Sequence, residues 1–427
     1  MNIAVIGGGY AGMAAAVTLA DAGVPVTVYE AARELGGRAR RVVVNEVALD
    51  NGLHILLGAY NDTLRLIRAV HPCPDDALTR LPLDWHVHRR FRLKAAPLPA
   101  PLHLAIGLVT ASGAPVRERL AAVRFAHAMR AQRYVLDEDT TVAQLLSKHD
   151  QGPAFIRYLW TPLCIAALNT PPARASAQVF LNVLRDGLDS GRTAGEMLLA
   201  SSDLSSLFPI PAAEYVCARG GTVHMSHSID ALIADGGDVV LQTHSGTHRH
   251  AHAICAVSPH RAAALLQKLP PLEHAVAMLE GFRYQPIYSV YLQFAAPVRL
   301  PTPMLAIGES VRWLFDREAI CGQRGMLAAV ISAEGVHEQM TNDELATLVM
   351  EEISAELGPL PQLVWHRVIA EKRATFECST GLERPPTRTP MSNVHLAGDY
   401  TAGDYPATLE SAVRSGIAAA RQVLEQR

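Results

Sequence analysis

Two segments at opposite ends of the chain predict an α/β fold: a Rossmann-like nucleotide-binding domain interleaved with a mixed α+β second domain. "NIAVIGGGYAGMAAAVTLADAGVPVTVYE", Asn2 to Glu30, reads strand, glycine turn, helix, strand. "NVHLAGDYTAGDYPATLESAVRSGIAAARQVL", Asn393 to Leu424, reads as a short strand (Val394 to Ala397), the pair Gly398-Asp399, a loop, and an Ala-rich helix opened by Pro406. Both are parts of one nucleotide site, so the residues between them must hold a second unit threaded through the first. At 427 residues the chain exceeds what one core supports, since cores stop growing at roughly 300 residues.

In the first segment Ile3, Val5 and Ile6 form a buried-strand run, and Gly7, Gly9 and Gly12 fill G-x-G-x-x-G with Ala11 inside it. The first glycine permits the sharp turn, the second lets a pyrophosphate approach the backbone, and the third lets helix and strand close up. Free N–H groups and the dipole at the helix N-terminus favour the anion. Val26 to Tyr29 form the second strand, and Glu30 at its end lies about 20 residues on, where a carboxylate accepts hydrogen bonds from an adenosine ribose. A dinucleotide is implied; the motif alone does not separate NAD from FAD.

"AARELGGRARRV" follows, with Gly36-Gly37 beside Arg38. Adjacent glycines next to a fixed cation offer close backbone approach and a bidentate phosphate donor. The C-terminal helix aims a second positive N-terminus at the same place, with Thr408 and Leu409 expected among the cofactor contacts. Together the glycine turn, the G-G-R doublet and the Gly-Asp-helix element resemble the flavin-containing amine oxidase and phytoene desaturase superfamily, with its GR2-type FAD domain. The resemblance implies FAD as cofactor, Asp399 bonding its phosphate or ribityl part, Glu30 its ribose, and Gly52 and His54 close to the flavin ring. "VCARGGTVHMSHSIDALIADGGDVVLQTHSGTHRHAHAICAVSP", Val216 to Pro259, is similar to the superfamily's returning segment: Gly220-Gly221, a helix, a strand at Val239 to Gln242, and a second strand ending near Ala256-Val257. The FAD domain is therefore expected over residues 1–72, 206–275 and 385–427, and the substrate domain over 73–205, partly helical, and 276–384, where "PIYSVYLQF" and "RWLFDR" read as strands.

A net charge of -3 excludes the strongly basic face that nucleic acid demands. Six scattered cysteines without C-x-x-C spacing read as buried free thiols in a reducing compartment. His244, His248, His250 and His252 read as a hairpin surface, and His86 and His88 beside Trp85 lack further ligands, so no metal is expected. No secretory leader opens the chain, and "PLPAPLHLAIGLVTASGAP", Pro97 to Pro115, is broken by prolines and glycines, short of the about 20 continuous apolar residues of a span. A cytoplasmic protein is expected, either free or held peripherally on the inner face of the membrane. The second option rests on the stretch from Gly113 to Tyr134, which sets Arg117, Arg119, Arg124, Arg130 and Arg133 against one acid, Glu118.

"LDNGLHILLGAYNDTLRLI", "YLWTPLCIAALNTPPARASAQVFLNVLRDGL" and "DYPATLESAVRSG" resemble the squalene-associated FAD-dependent enzymes, the hydroxysqualene dehydroxylases. Trp160, Pro162, Leu163, Asn169, Thr170, Pro171, Pro172 and Phe180 stand in the expected order; Leu53 departs, where Gln is expected. The implied reaction reduces hydroxysqualene to squalene, with a long isoprenoid as substrate. Departure of a hydroxyl as water calls for an acid in an otherwise apolar pocket. His54, oriented by Asp50, is the candidate, with Asp404 and Tyr405 in reserve. The plainer reading has Asp50 and Asn51 in turn hydrogen bonds and His54 packed on the cofactor. The competing classes are an oxidative desaturase of carotenoid precursors, an amine oxidase, and a non-catalytic escort protein without FAD.

Overall fold

The computed structural model describes residues 2–308 and 312–426. A parallel five-stranded sheet runs in the order Thr222–His224, Val26–Tyr29, Ile3–Ile6, His252–Cys255, Val394–Leu396. Ile3–Ile6, at its centre, is buried at every position, as a parallel sheet covered on both faces requires. The N-terminal helix, Tyr10–Asp21, and the closing helix, Leu409–Leu424, pack together at Gly416. A Cβ there would meet the Ala11 carbonyl oxygen at 2.1 Å, so only glycine permits this approach.

The returning segment departs from expectation. Instead of entering a helix after Gly220-Gly221, the chain passes directly into the strand Thr222–His224 and then an antiparallel sheet of Ala231–Asp235, Asp238–Thr243 and Gly246–His250. The last of these strands, sequence GTHRH, has no apolar alternation to announce it. Its histidines also correct the hairpin-surface reading. His250 is 3% exposed, its ring bonded at 2.9 Å to Asn2 Oδ1 and at 3.0 Å to the Tyr29 hydroxyl, and burial lowers its pKa to about 4. His252 is buried in the parallel sheet. The thiols also divide: Cys164, Cys255 and Cys378 are buried, whereas Cys73 and Cys217 are exposed.

A seven-stranded mixed sheet faces the first, in the order Leu363–Phe376, Tyr284–Phe294, Met326–Ser332, Arg312–Asp316, Met304–Ile307, Asp84–Val87, Phe91–Lys94. The first two strands slip register between Gln285 and Ile287, at Pro286, which has no N–H for the ladder. Residues 73–205 are helical but also supply the strands Leu78–Leu81, Asp84–Val87, Phe91–Lys94 and Met197–Ala200. The chain widens to a π-helical turn at Ile156–Trp160, just before Pro162. Proline cannot donate to the carbonyl four residues back, here that of Tyr158. The indole N–H of Trp85 takes that carbonyl instead, at 2.7 Å.

Candidate functional site

The two large sheets enclose a cavity of about 790 Å³. Its first end is built by the glycine turn. Gly7 holds a φ of +108°, and a Cβ there would meet the Ala256 carbonyl oxygen at 2.6 Å; a Cβ on Gly12 would meet the Gly7 oxygen at 1.9 Å. Gly12 therefore seats helix on strand and does not line the cavity. Gly9 does line it, and the nearest atom to a Cβ at that position is 3.8 Å away. Its missing side chain leaves backbone open to a ligand, the requirement for a pyrophosphate. Ala11 lines the cavity beside it.

Glu30 Oε2 accepts the Gly8 N–H at 2.6 Å and Oε1 the Ala32 N–H at 2.7 Å. These bonds aim the carboxylate along the cavity wall while leaving lone pairs for a sugar hydroxyl. Gly36 and Gly37 both take positive φ, +117° and +63°, and a Cβ on Gly37 would stand 3.4 Å from Gly9 Cα. Arg38 corrects one expectation. Its Nη1 donates to the Ala374 carbonyl and its Nη2 to Asp399 Oδ1, each at 2.6 Å. The guanidinium fork is thus engaged by protein and contributes charge and its remaining N–H groups rather than a free bidentate face.

Asp399 follows Gly398, whose N–H donates to the Ser415 hydroxyl at 2.7 Å, so the Gly-Asp turn is fastened to the closing helix. That helix begins at Leu409 and not at Pro406: the Thr408 hydroxyl accepts the Ser411 N–H at 3.1 Å and caps it. Gly9, Ala11, Thr408 and Leu409 all line the cavity, so two helix N-termini converge on it with their dipoles additive for an anion. Open glycine backbone, a ribose-height carboxylate, and converging positive helix ends form a donor set that fits a flavin dinucleotide.

The stretch from Asp50 to Tyr60 forms the middle wall, but not as expected. Asp50 is 1% exposed and lies off the cavity. Its Oδ1 accepts the Leu204 N–H at 2.8 Å, its Oδ2 stands 3.7 Å from buried Arg317, and its backbone carbonyl accepts the Tyr291 hydroxyl at 2.9 Å. Burial raises its carboxyl to about 6, with Arg317 working against the rise. Asp50 therefore locks the loop and does not orient His54. That task falls to the Gly52 carbonyl, 2.7 Å from His54 Nδ1. Gly52 and His54 both line the cavity. Burial lowers the His54 pKa below the ordinary value; the Gly52 carbonyl opposes this and the Arg38 charge adds to it.

Beyond His54 the wall turns apolar, with Leu53, Ile55, Ile165, Val183, Trp85 and Trp313. The two indoles meet edge to face with centroids 4.7 Å apart. Asn169, from the most specific stretch of the sequence, takes a left-handed φ of 46° at a helix end. Its side chain bonds Thr375 Oγ1 at 3.0 Å and the Ala333 N–H at 2.7 Å, tying this helix to the second sheet. Polar residues interrupt the apolar wall, among them a bonded pair: the Tyr405 hydroxyl donates to Asp186, which also accepts from Arg185 Nε at 2.6 Å. Burial acts to raise the Asp186 carboxyl, but its bonds from Arg185 and Tyr405 prevail and hold it below the usual carboxylate range. Asp404 contributes only its backbone carbonyl, which accepts from Asn182 at 2.9 Å. Sequence reasoning missed Asp186 and the Trp85–Trp313 pair; an acid just after the apolar-rich "VFLNVL" was the one available signal.

The family described as flavin containing amine oxidoreductase matches residues 10–424. A hydroxysqualene dehydroxylase of Rhodopseudomonas palustris is 30% identical, over 99% of this chain and 98% of its own length. A second, of Sinorhizobium fredii, is 29% identical over 100% and 99%. A solved structure of a putrescine oxidase triple mutant shares the fold, with a TM-score of 0.74 at 16% identity, covering 100% of this chain and 99% of that one. The chain thus belongs to the flavin containing amine oxidoreductase family, on the branch of the hydroxysqualene dehydroxylases, and is an FAD-dependent oxidoreductase.

Proposed function

We propose that the chain reduces hydroxysqualene, a long allylic alcohol, to squalene. The observation that carries this reading is one continuous cavity whose first end is open glycine backbone between two helix N-termini and whose far end is a chamber of aliphatic and indole side chains. Relatives named for the same reaction, similar over nearly their whole length, support it. In balance, the carbon–oxygen bond breaks, a carbon–hydrogen bond forms, and the hydroxyl leaves with one proton as water. Reduced FAD, when bound, supplies the hydride equivalent.

The chain's own residues do the rest. Glu30, Arg38, Asp399, Gly7 and Gly9 hold the cofactor, and the chamber around Trp85 and Trp313 orients the hydrocarbon and excludes water. His54 holds the proton: with Nδ1 committed to the Gly52 carbonyl, Nε2 is the nitrogen left to address a hydroxyl. Its lowered pKa makes the protonated ring scarce at neutral pH but a stronger donor when formed. Peripheral contact with the membrane that dissolves so apolar a substrate belongs to the same reading. The test is product analysis: purified holoprotein, a chemical flavin reductant and hydroxysqualene, with the hydrocarbon extracted and identified. Squalene supports the reading; a dehydrogenated product, or unchanged alcohol, sinks it.

A further inference from the structure

Among the described residues, six of the ten large hydrophobic side chains left exposed crowd into one short stretch: Leu98, Leu102, Ile106, Val109, Val116 and Leu120, with exposures from 37% to 63%. Leu102, Ile106 and Val109 lie on the helix Leu102–Thr110 at spacings of four and three, which puts them on one face, and that face points to solvent. Burial takes the other side, at His103, Gly107 and Leu108. The next helix, Val116–Ala131, continues the ridge with Val116 and Leu120.

Apart from Glu118, the charged side chains carried by the two helices are all arginines. Arg117 and Arg124 are exposed beside Leu120, and Arg119 bridges the two helices through the carbonyls of Ala114 and Val109. The only acid on the second helix, Glu118, is turned inward to the N–H groups of Ala154 and Phe155, so it does not neutralise them. An apolar ridge flanked by arginines matches a lipid surface, where acyl chains take the ridge and anionic headgroups take the guanidiniums. The helices are too short to span: among the described residues none is long and apolar enough to cross a membrane. The ridge is also joined to the cavity. On the π-helical turn Arg185–Asp189, Asp186 and Gly187 line the cavity, and Asp189 lies 3.5 Å from Arg130 of the second helix.

We propose that this pair of helices is a docking face for an anionic bilayer surface, placing the wall of the apolar chamber beside the lipid. The proposal names the partner face of the isoprenoid reading and rests on that reading only for its purpose; vesicle binding is measured without turnover, so either can fail alone. The test is co-sedimentation of holoprotein with vesicles of phosphatidylcholine, plain or mixed with phosphatidylglycerol. Wild type sediments with the mixed vesicles and loses at least about tenfold in partitioning on Ile106→Glu with Leu120→Glu, while Val364→Glu, an exposed valine elsewhere, changes nothing. Arg117→Glu with Arg124→Glu removes the preference for the anionic lipid, and gives a second reading should the apolar variant lose its flavin. No sedimentation of wild type, equal sedimentation of all variants, or an Ile106-dependent dimer in size exclusion that ignores vesicles would overturn it.

Discussion

Gly9 and Gly12 belong to one turn yet do different work, so alanine at each position separates folding from cofactor binding. A Cβ at position 12 would lie 1.9 Å from the Gly7 carbonyl oxygen, where ordinary contact begins at 3.4 Å, so helix and strand must part by the difference, 1.5 Å. The clash is backbone against Cβ and no rotamer relieves it. A clash this deep against backbone belongs to the upper end of the overpacking cost, about 2–3 kcal/mol, against about 1 kcal/mol gained from alanine's helix propensity. Gly12→Ala apoprotein should therefore be less stable by about 1–2 kcal/mol. At position 9 the nearest atom is 3.8 Å away, and Gly9→Ala apoprotein should match wild type within about 0.5 kcal/mol. Its methyl, however, stands where backbone must meet the pyrophosphate, and FAD affinity should fall at least about tenfold, or about 1.4 kcal/mol. Urea unfolding of the apoproteins and FAD titration by quenching of flavin fluorescence read both quantities. Gly12→Ala as stable as wild type, or Gly9→Ala binding FAD unchanged, would refute the reasoning.

Replacing His54 by glutamine should leave flavin content intact and lower kcat by about a hundredfold; retained turnover would remove the proton-donor role. Because burial holds the His54 pKa below its ordinary value, the protonated fraction falls roughly tenfold per pH unit across the neutral range. The wild-type kcat/KM should fall in parallel as pH rises, and the His54→Gln protein should lose that dependence. The Asp50 carboxyl, raised to about 6 in the fold, favours the protonated state, so its contribution to stability is fully present below its unfolded value and lost as pH rises through 6. The loss amounts to about 3 kcal/mol, and the stability of Asp50→Asn relative to wild type should climb between acid and neutral pH; a flat difference in urea midpoints contradicts it. Trp85→Phe frees the Tyr158 carbonyl that Pro162 cannot serve, and should lower stability by about 1–3 kcal/mol.

The strand–turn–helix–strand unit that brings Gly7, Gly9 and Glu30 to one end of the cavity was legible because it is written locally, where spacing alone sets geometry. The cavity's far end was not. Trp85 and Trp313 lie on strands distant in sequence and meet only in the second sheet. Asp186 reaches the wall by a π-helical turn that no periodicity announces. Asp50 was misread because adjacency to His54 in sequence suggested contact, whereas the strand Val47–Asp50 ends with its carboxylate turned towards Leu204 and Arg317. The strand Gly246–His250 was read as a hairpin surface because its own composition is polar; the contacts that bury His250, with Tyr29 and Asn2, come from far away in sequence.

The most direct measurement is a single anaerobic turnover: holoprotein reduced to its colourless flavin, mixed with one equivalent of hydroxysqualene, with flavin absorbance and extracted hydrocarbon followed in the same sample. Return of the oxidised flavin spectrum with squalene formed mole for mole is the result expected of one cavity holding both cofactor and isoprenoid. A reduced flavin that hydroxysqualene leaves untouched, or that reoxidises without yielding squalene, would contradict it.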